Sequence, residues 1–183
     1  MPRRRQRPRG AAARPRRAQG RAAARPYARR ERRLTRPFET RAGDTLLSDD
    51  PARFDLDRAF GWISGESYWA QGIPRERFER AVRASLVVGA YAADGEMSAM
   101  ARVVTDRATF AWICDVFVGG DWRGRGLGKA LMAYLTAHPD LQGLRRTHLA
   151  TRDAHGLYAQ FGFVPLTGVD RWMEIRGQPY AAG

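Results

Sequence analysis

Asp115-Val116-Phe117-Val118-Gly119-Gly120-Asp121-Trp122-Arg123-Gly124-Arg125-Gly126-Leu127-Gly128-Lys129 is the most informative segment of the sequence. It takes the chain out of a strand, through a glycine-rich loop and into a helix. Phe110–Val118 is apolar on both faces apart from Asp115, the pattern of a central, buried strand. Beyond the loop, Leu127, Ala130, Leu131, Tyr134 and Leu135 follow the i, i+3, i+4, i+7, i+8 spacing of an amphipathic helix, which Pro139 and Gly143 close. Glycines let a backbone approach a ligand closely. The free N–H groups and the dipole of a helix start favour an anion. Arg123, Arg125 and Lys129 add cations. A plain glycine turn would account for the glycines alone. The cations and the strand–helix context favour a phosphate or pyrophosphate cradle.

Two common cradles are excluded. A P-loop needs glycine at position 123 and Ser or Thr after the lysine, and the chain has Arg123 and Ala130. A dinucleotide fingerprint started at Gly124 or at Gly126 needs its third glycine at Lys129 or at Leu131.

Upstream of the loop, Leu86–Tyr91 and Met97–Thr105 read as strands joined by an Asp94-Gly95 turn, with Asp106–Ala108 turning into the central strand. Ile73-Pro74 opens a helix with Phe78, Ala81 and Val82 on its apolar face. Phe54, Ala59, Phe60 and Ile63 mark an earlier helix, ended by Ser64-Gly65. Leu34–Arg41 is expected as a first strand and residues 44–57 as an acidic, turn-rich connection. Downstream, a strand over Thr147–Thr151 precedes a short helix over Asp153–Gln160, with final strands at Phe163–Pro165 and Trp172–Ile175. The order predicts an α+β (mixed α/β) fold: a central, mostly antiparallel sheet flanked by about four helices.

The net charge of +13 is not a property of this body. Residues 1–40 hold 15 arginines and two acids, whereas residues 41–183 hold 17 basic and 17 acidic groups. Residues 1–36 are therefore expected to be a disordered Arg/Ala/Pro-rich tail, and residues 37–183 the folded domain. The tail reads as an arm for nucleic acid or another anionic partner, as a transit-like segment, or as a segment with no selected role. Arginine outnumbers lysine 31 to one, so GC-rich codons or an early start codon explain the composition without a partner, and that reading is preferred. The tail lacks the apolar core of a secretory signal. No apolar run approaches the ~18 residues of a membrane span. A single cysteine, Cys114, fits a reducing compartment, so a cytoplasmic location is expected. The three histidines and one cysteine show no metal-ligand spacing.

Two motifs together carry a resemblance. Arg123, Gly126 and Gly128 match the Gln/Arg-x-x-Gly-x-Gly/Ala motif of the GNAT superfamily of N-acetyltransferases. Leu157-Tyr158-Ala159-Gln160-Phe161-Gly162-Phe163 is similar to its Leu-Tyr-x-x-Phe-Gly-Phe signature, one strand further on. The resemblance covers residues 37–176, without the tail. It implies acetyl transfer from acetyl-CoA to an amine, by direct transfer in a ternary complex. It places the cofactor pyrophosphate on backbone N–H groups of Arg123, Gly124, Arg125, Gly126, Leu127, Gly128 and Lys129. It places the pantetheine arm along Val116, Phe117 and Val118, where a bulge opens the strand from its neighbour. A strand N–H in that opening would meet the acyl oxygen. Tyr158 is implied as the acid that protonates the leaving thiolate.

The general base is open from sequence. Asp115 is the lone charge of the central strand, and an unpaired buried carboxylate holds its proton more tightly. A structural partnership, for instance with Arg102, is the competing reading. Glu66, in Ser64-Gly65-Glu66-Ser67-Tyr68-Trp69, is the second candidate, His155 a relay, and water a fourth route. Tyr68 and Trp69 are expected to wall an acceptor groove, and Trp112 to pack in the core. Asp44, Asp49, Asp50, Asp55 and Asp57 form a stretch that attracts cationic amines or is simply solvated. The acceptor is a small-molecule or protein amine, and a homodimer is compatible with the family. Two other classes compete: a non-catalytic acyl-CoA sensor, and a nucleic-acid or ribosome-associated protein acting through the tail.

Overall fold

Strands apolar on both faces set the centre of the sheet. In the computed structural model, which describes residues 36–178 and residue 180, six strands line up in sequence order. They are β1 (Glu39–Ala42), β2 (Thr45–Ser48), β3 (Leu86–Tyr91), β4 (Met97–Thr105), β5 (Phe110–Val118) and β6 (Arg146–His148). Neighbours from β1 to β5 are antiparallel, and β5 and β6 are parallel. Four helices accompany them: α1 (Leu56–Phe60), α2 (Arg75–Arg83), α3 (Leu127–Ala137) and α4 (His155–Ala159). The fold is α+β with a mixed, mostly antiparallel sheet, as the sequence predicts. Expectations for residues 1–35 fall outside the described residues, and no described helix is long and apolar enough to cross a membrane.

Each face of the sheet buries its own cluster. On one face Val88, Ala101, Val103 and Ile113 pack against Leu131, Met132 and Leu135 of α3 and Tyr158 of α4. On the other, Met97, Met100 and Phe117 meet Ala59, Trp62, Ile63 and Phe78. Local signals fix the helix starts. The Asp55 carboxylate accepts the Arg58 N–H at 2.9 Å and caps α1, and Pro74 stands immediately before α2. Buried His138 ties the end of α3 to the sheet. Its Nδ1 accepts the Asp140 N–H at 3.1 Å, so its proton lies on Nε2, which donates to Asp49 at 3.0 Å. Asp49 in turn accepts the Phe38 N–H at 2.7 Å.

Several boundaries correct the sequence reading. The first strand is Glu39–Ala42, shifted from Leu34–Arg41, and Thr45–Ser48 is a strand inside the stretch read as turns. Its apolar pair, Leu46 and Leu47, completes the ladder to β3. The first helix does not stop at Ser64-Gly65 but runs on as a π-helical turn, Gly61–Glu66. The strand expected over Thr147–Thr151 is Arg146–His148, because its ladder to β5 stops at Trp112. Phe163–Pro165 and Trp172–Ile175 are not strands: three-residue β6 offers little to pair with, and Pro165 has no N–H to give. The acidic stretch is occupied structurally. Asp55 caps a helix, Asp57 pairs with Arg75, and Asp49 holds His138.

Candidate active site

The site begins with a slipped register. Met100 pairs with Phe117 and Arg102 with Cys114, so Ala101 alone faces two residues, Asp115 and Val116. This is a bulge, and Asp115 takes the left-handed backbone it needs, with φ 50°. The extra residue inverts the parity of the strand. Ala111 and Ile113 face the α3 side before it, and Val116 and Val118 after it, which turns Phe117 onto the opposite cluster. The bulge also bends β5 away from β6. Their ladder holds only Phe110, Ala111 and Trp112 against Arg146, Thr147 and His148. Among the described residues, no strand pairs with β5 on that side from Ile113 to Val118. The result is an opening along the unpaired edge of β5.

The glycine loop lies at the end of that opening. Gly124 and Gly126 have φ 75° and 82°, a backbone glycine adopts without penalty. Gly126 is the N-cap of α3 and no side chain caps the helix. Among the described residues, none of the backbone N–H groups from Gly124 to Lys129 donates to a protein acceptor. An uncapped start with six free donors is suited to an anion. Arg125 lies over the Trp122 ring at 5.0 Å, and Arg123 over Phe117 at 5.5 Å. The Arg123 Nε–H also donates to the Val118 carbonyl at 3.2 Å, tying the loop to the strand.

Two elements close on this loop. A Cβ on Gly128 would stand 3.3 Å from Leu157, so α4 packs directly on the start of α3. Tyr158, on α4, is buried, and burial raises its phenol pKa, with Tyr68 and Asp153 adding to the shift. The phenol is therefore protonated through the neutral range, as a proton donor must be. On the other side Trp62 stacks on Phe117 at 5.5 Å, and a Cβ on Gly119 would meet Trp62 at 3.0 Å. Glu66 ends the π-helical turn half-exposed, 4.0 Å from Arg123.

Asp115 is not a free carboxylate. It is 8 % exposed, and it accepts Arg102 Nε–H at 2.6 Å and Trp69 Nε1–H at 3.0 Å. The structural partnership with Arg102 thus holds, and Trp69 is a partner the sequence did not show. Tyr68 and Trp69 are exposed and meet edge to face at 4.9 Å. Arg152 covers the Tyr68 ring at 3.8 Å and donates its backbone N–H to the Tyr68 hydroxyl at 3.1 Å. Trp112 is 37 % exposed rather than packed in the core. It lines a groove of about 1110 Å³ along β6 and α4 with His148, Thr151, His155 and Tyr158, and no residue of the glycine loop lines that groove. Burial pushes the Cys114 thiol up to about 12, which leaves it unreactive as a nucleophile.

The profile of the acetyltransferase (GNAT) family matches residues 47–163. The chain belongs to the GNAT acetyltransferase family. A crystal structure of a GNAT-family protein from Xanthomonas campestris pv. campestris, named only as an acetyltransferase, is 46% identical. It superposes with a TM-score of 0.71 over 75% of this chain and 96% of that one. A Gibberella zeae protein, also named only as an acetyltransferase, is 28% identical over 64% of this chain and 77% of its own length. The ribosomal-protein-S18-alanine N-acetyltransferase of Escherichia coli shares the fold at 22% identity. Its TM-score is 0.54, over 67% of this chain and 79% of that one. In this GNAT chain the bulge and the uncapped α3 start are joined by the glycine loop, and α4, which carries Tyr158, packs on α3 at Gly128.

Proposed function

We propose that this GNAT protein transfers the acetyl group of acetyl-CoA to a primary amine, on a small molecule or a protein, in the cytoplasm. One observation carries the reading: the bulge at Asp115 opens β5 from β6 directly into an uncapped α3 start flanked by Arg123, Arg125 and Lys129. Six free N–H groups suit a pyrophosphate, and an unpaired strand edge suits an amide-bearing pantetheine arm. Acetyl-CoA, when bound, supplies an acyl group on a thioester that an amine displaces.

The chain's own residues supply the rest. The backbone of Gly124 through Lys129 binds the anion, since the Arg123 N–H expected in the cradle is taken by the Gly120 carbonyl at 3.3 Å, and the three cations offset its charge. The free edge at Val116–Val118 aligns the arm, and its N–H groups face the oxygen on which charge develops. The amine nitrogen forms the new C–N bond as the C–S bond breaks. The Tyr158 hydroxyl gives its proton to the departing sulfur. Glu66, with an open side chain, takes the proton of the amine, where Asp115 has both oxygens engaged.

The test is calorimetry of acetyl-CoA against the full chain, followed by thiol release on a panel of amino acids, polyamines, amino sugars and peptide N-termini. Micromolar binding with turnover on one class supports the reading. Binding without turnover on any class points instead to an acyl-CoA sensor. Absence of binding refutes both.

A further inference from the structure

Asp115 is the most constrained residue of the site, and proton transfer does not explain its constraints. Its left-handed backbone is one that side chains other than Asp and Asn rarely adopt, and glycine would fill the bulge at lower cost. A strained non-glycine residue persists only where its surroundings over-determine it. Here the surroundings are explicit. One carboxylate oxygen holds the Trp69 indole N–H and the other holds Arg102. Arg102 continues to Ser85 Oγ at 3.0 Å, and Ser85 donates to the Ala81 carbonyl of α2 at 2.7 Å. Trp69 leans on Tyr68, and Tyr68 holds Arg152 just before α4. A continuous set of contacts therefore runs from the bulge to both exposed aromatics and on towards the helix bearing Tyr158.

We infer that Asp115 is a positioning residue: it pins Trp69, and through it Tyr68, as the acceptor-side wall, and so couples that wall to the opening that takes the cofactor. The pinning stands on geometry alone; the acceptor and cofactor roles rest on the acetyl-transfer reading. Loss of the pin weakens capture of the amine more than it slows the chemical step.

The experiment is ¹⁵N NMR of the tryptophan indoles of the full chain, with Trp69→Phe identifying the Trp69 signal by its loss. Asp115→Gly keeps the bulge backbone and removes the acceptor. Asp115→Asn tolerates the same backbone and keeps one acceptor oxygen. The Trp69 N–H is expected to exchange with solvent about tenfold faster or more in Asp115→Gly, and less so in Asp115→Asn, whose single acceptor oxygen is shared between Trp69 and Arg102. Added acetyl-CoA is expected to move the Trp69 signal in the wild type and not in Asp115→Gly. With the best amine of the panel, Trp69→Phe and Asp115→Gly should raise KM about tenfold with a smaller change in kcat. An unprotected Trp69 N–H in the wild type, or one indifferent to Asp115→Gly, overturns the pin. If Asp115→Asn lowers kcat by the ~10²-fold or more expected of a lost base and removes the acidic limb of the pH profile, Asp115 is the base instead. Failure of acetyl-CoA to bind the wild type overturns the transfer reading and leaves the indole result standing on its own.

Discussion

Gly126 and Gly143 make a matched pair. Both have left-handed backbones, φ 82° and 68°, and a Cβ on either would meet no atom within 4 Å. Alanine at either position therefore adds no clash. It imposes a backbone penalty of about 1–2 kcal/mol for a left-handed L-residue, less a few tenths from a stiffer unfolded chain. For a chain of this size each kcal/mol lowers Tm by roughly 2–4 °C. The two positions differ in one respect: Gly126 is the N-cap of α3, whereas Gly143 lies in the loop before β6. If the loop is the cradle, a methyl at position 126 also stands where an anion must approach the backbone N–H groups. Any relaxation that relieved its strain would have to be reversed on binding. Reversing 1–2 kcal/mol costs about 5–30-fold in affinity. Thermal unfolding and acetyl-CoA calorimetry on both variants separate the effects. Gly143→Ala should lose stability and keep its affinity. Gly126→Ala should lose affinity by at least fivefold, with a stability loss no greater than that of its twin. Unchanged affinity in Gly126→Ala, alongside the expected destabilisation of Gly143→Ala, would refute the cradle.

Tyr158→Phe should lower kcat by about 10²-fold or more while leaving the acetyl-CoA Kd unchanged in calorimetry. Because burial raises the Tyr158 phenol above 10.0, the alkaline limb of the wild-type kcat profile should lie above pH 10. Tyr91 is raised to about 12 by burial, and its hydroxyl is buried without a partner among the described residues. Its folded pKa lies above its unfolded value of 10.0, so the stability it contributes is full below pH 10 and is lost as pH rises from 10 through 12. Tyr91→Phe should flatten that fall in chemical denaturation and raise stability at pH 7 by about 1 kcal/mol. His138→Ala leaves Asp49 short of a buried donor and should cost about 1–3 kcal/mol. In a double-mutant cycle with Asp49→Ala the two losses should be clearly less than additive.

The parts of this protein written in local sequence are those whose physics is local. Strands β3, β4 and β5 carry their own apolar runs and turns, and α3 carries its own stripe, so their limits can be read without knowing what they touch. The glycine loop is legible for the same reason, since anion binding by a helix start needs only consecutive residues. What escaped depends on partners. Strand β2 has four residues, with an apolar pair between acidic neighbours, and becomes a strand only because β3 offers Gly89, Ala90 and Tyr91 to pair with. The expected terminal strands fail for the converse reason, lack of a long enough edge. Asp115 shows both limits at once. Sequence marks it as the one charge in an apolar strand, and from that alone a base and a structural partner look alike. One of the donors that Asp115 holds, Trp69, lies 46 residues away, beyond any spacing rule. The bulge that brings them together is itself invisible to a period-two reading, because it is the point where that period slips by one residue. In this chain the candidate site therefore arises where a local rule breaks: the same slip leaves the β5 edge unpaired and turns the one strand charge towards the Trp69 indole.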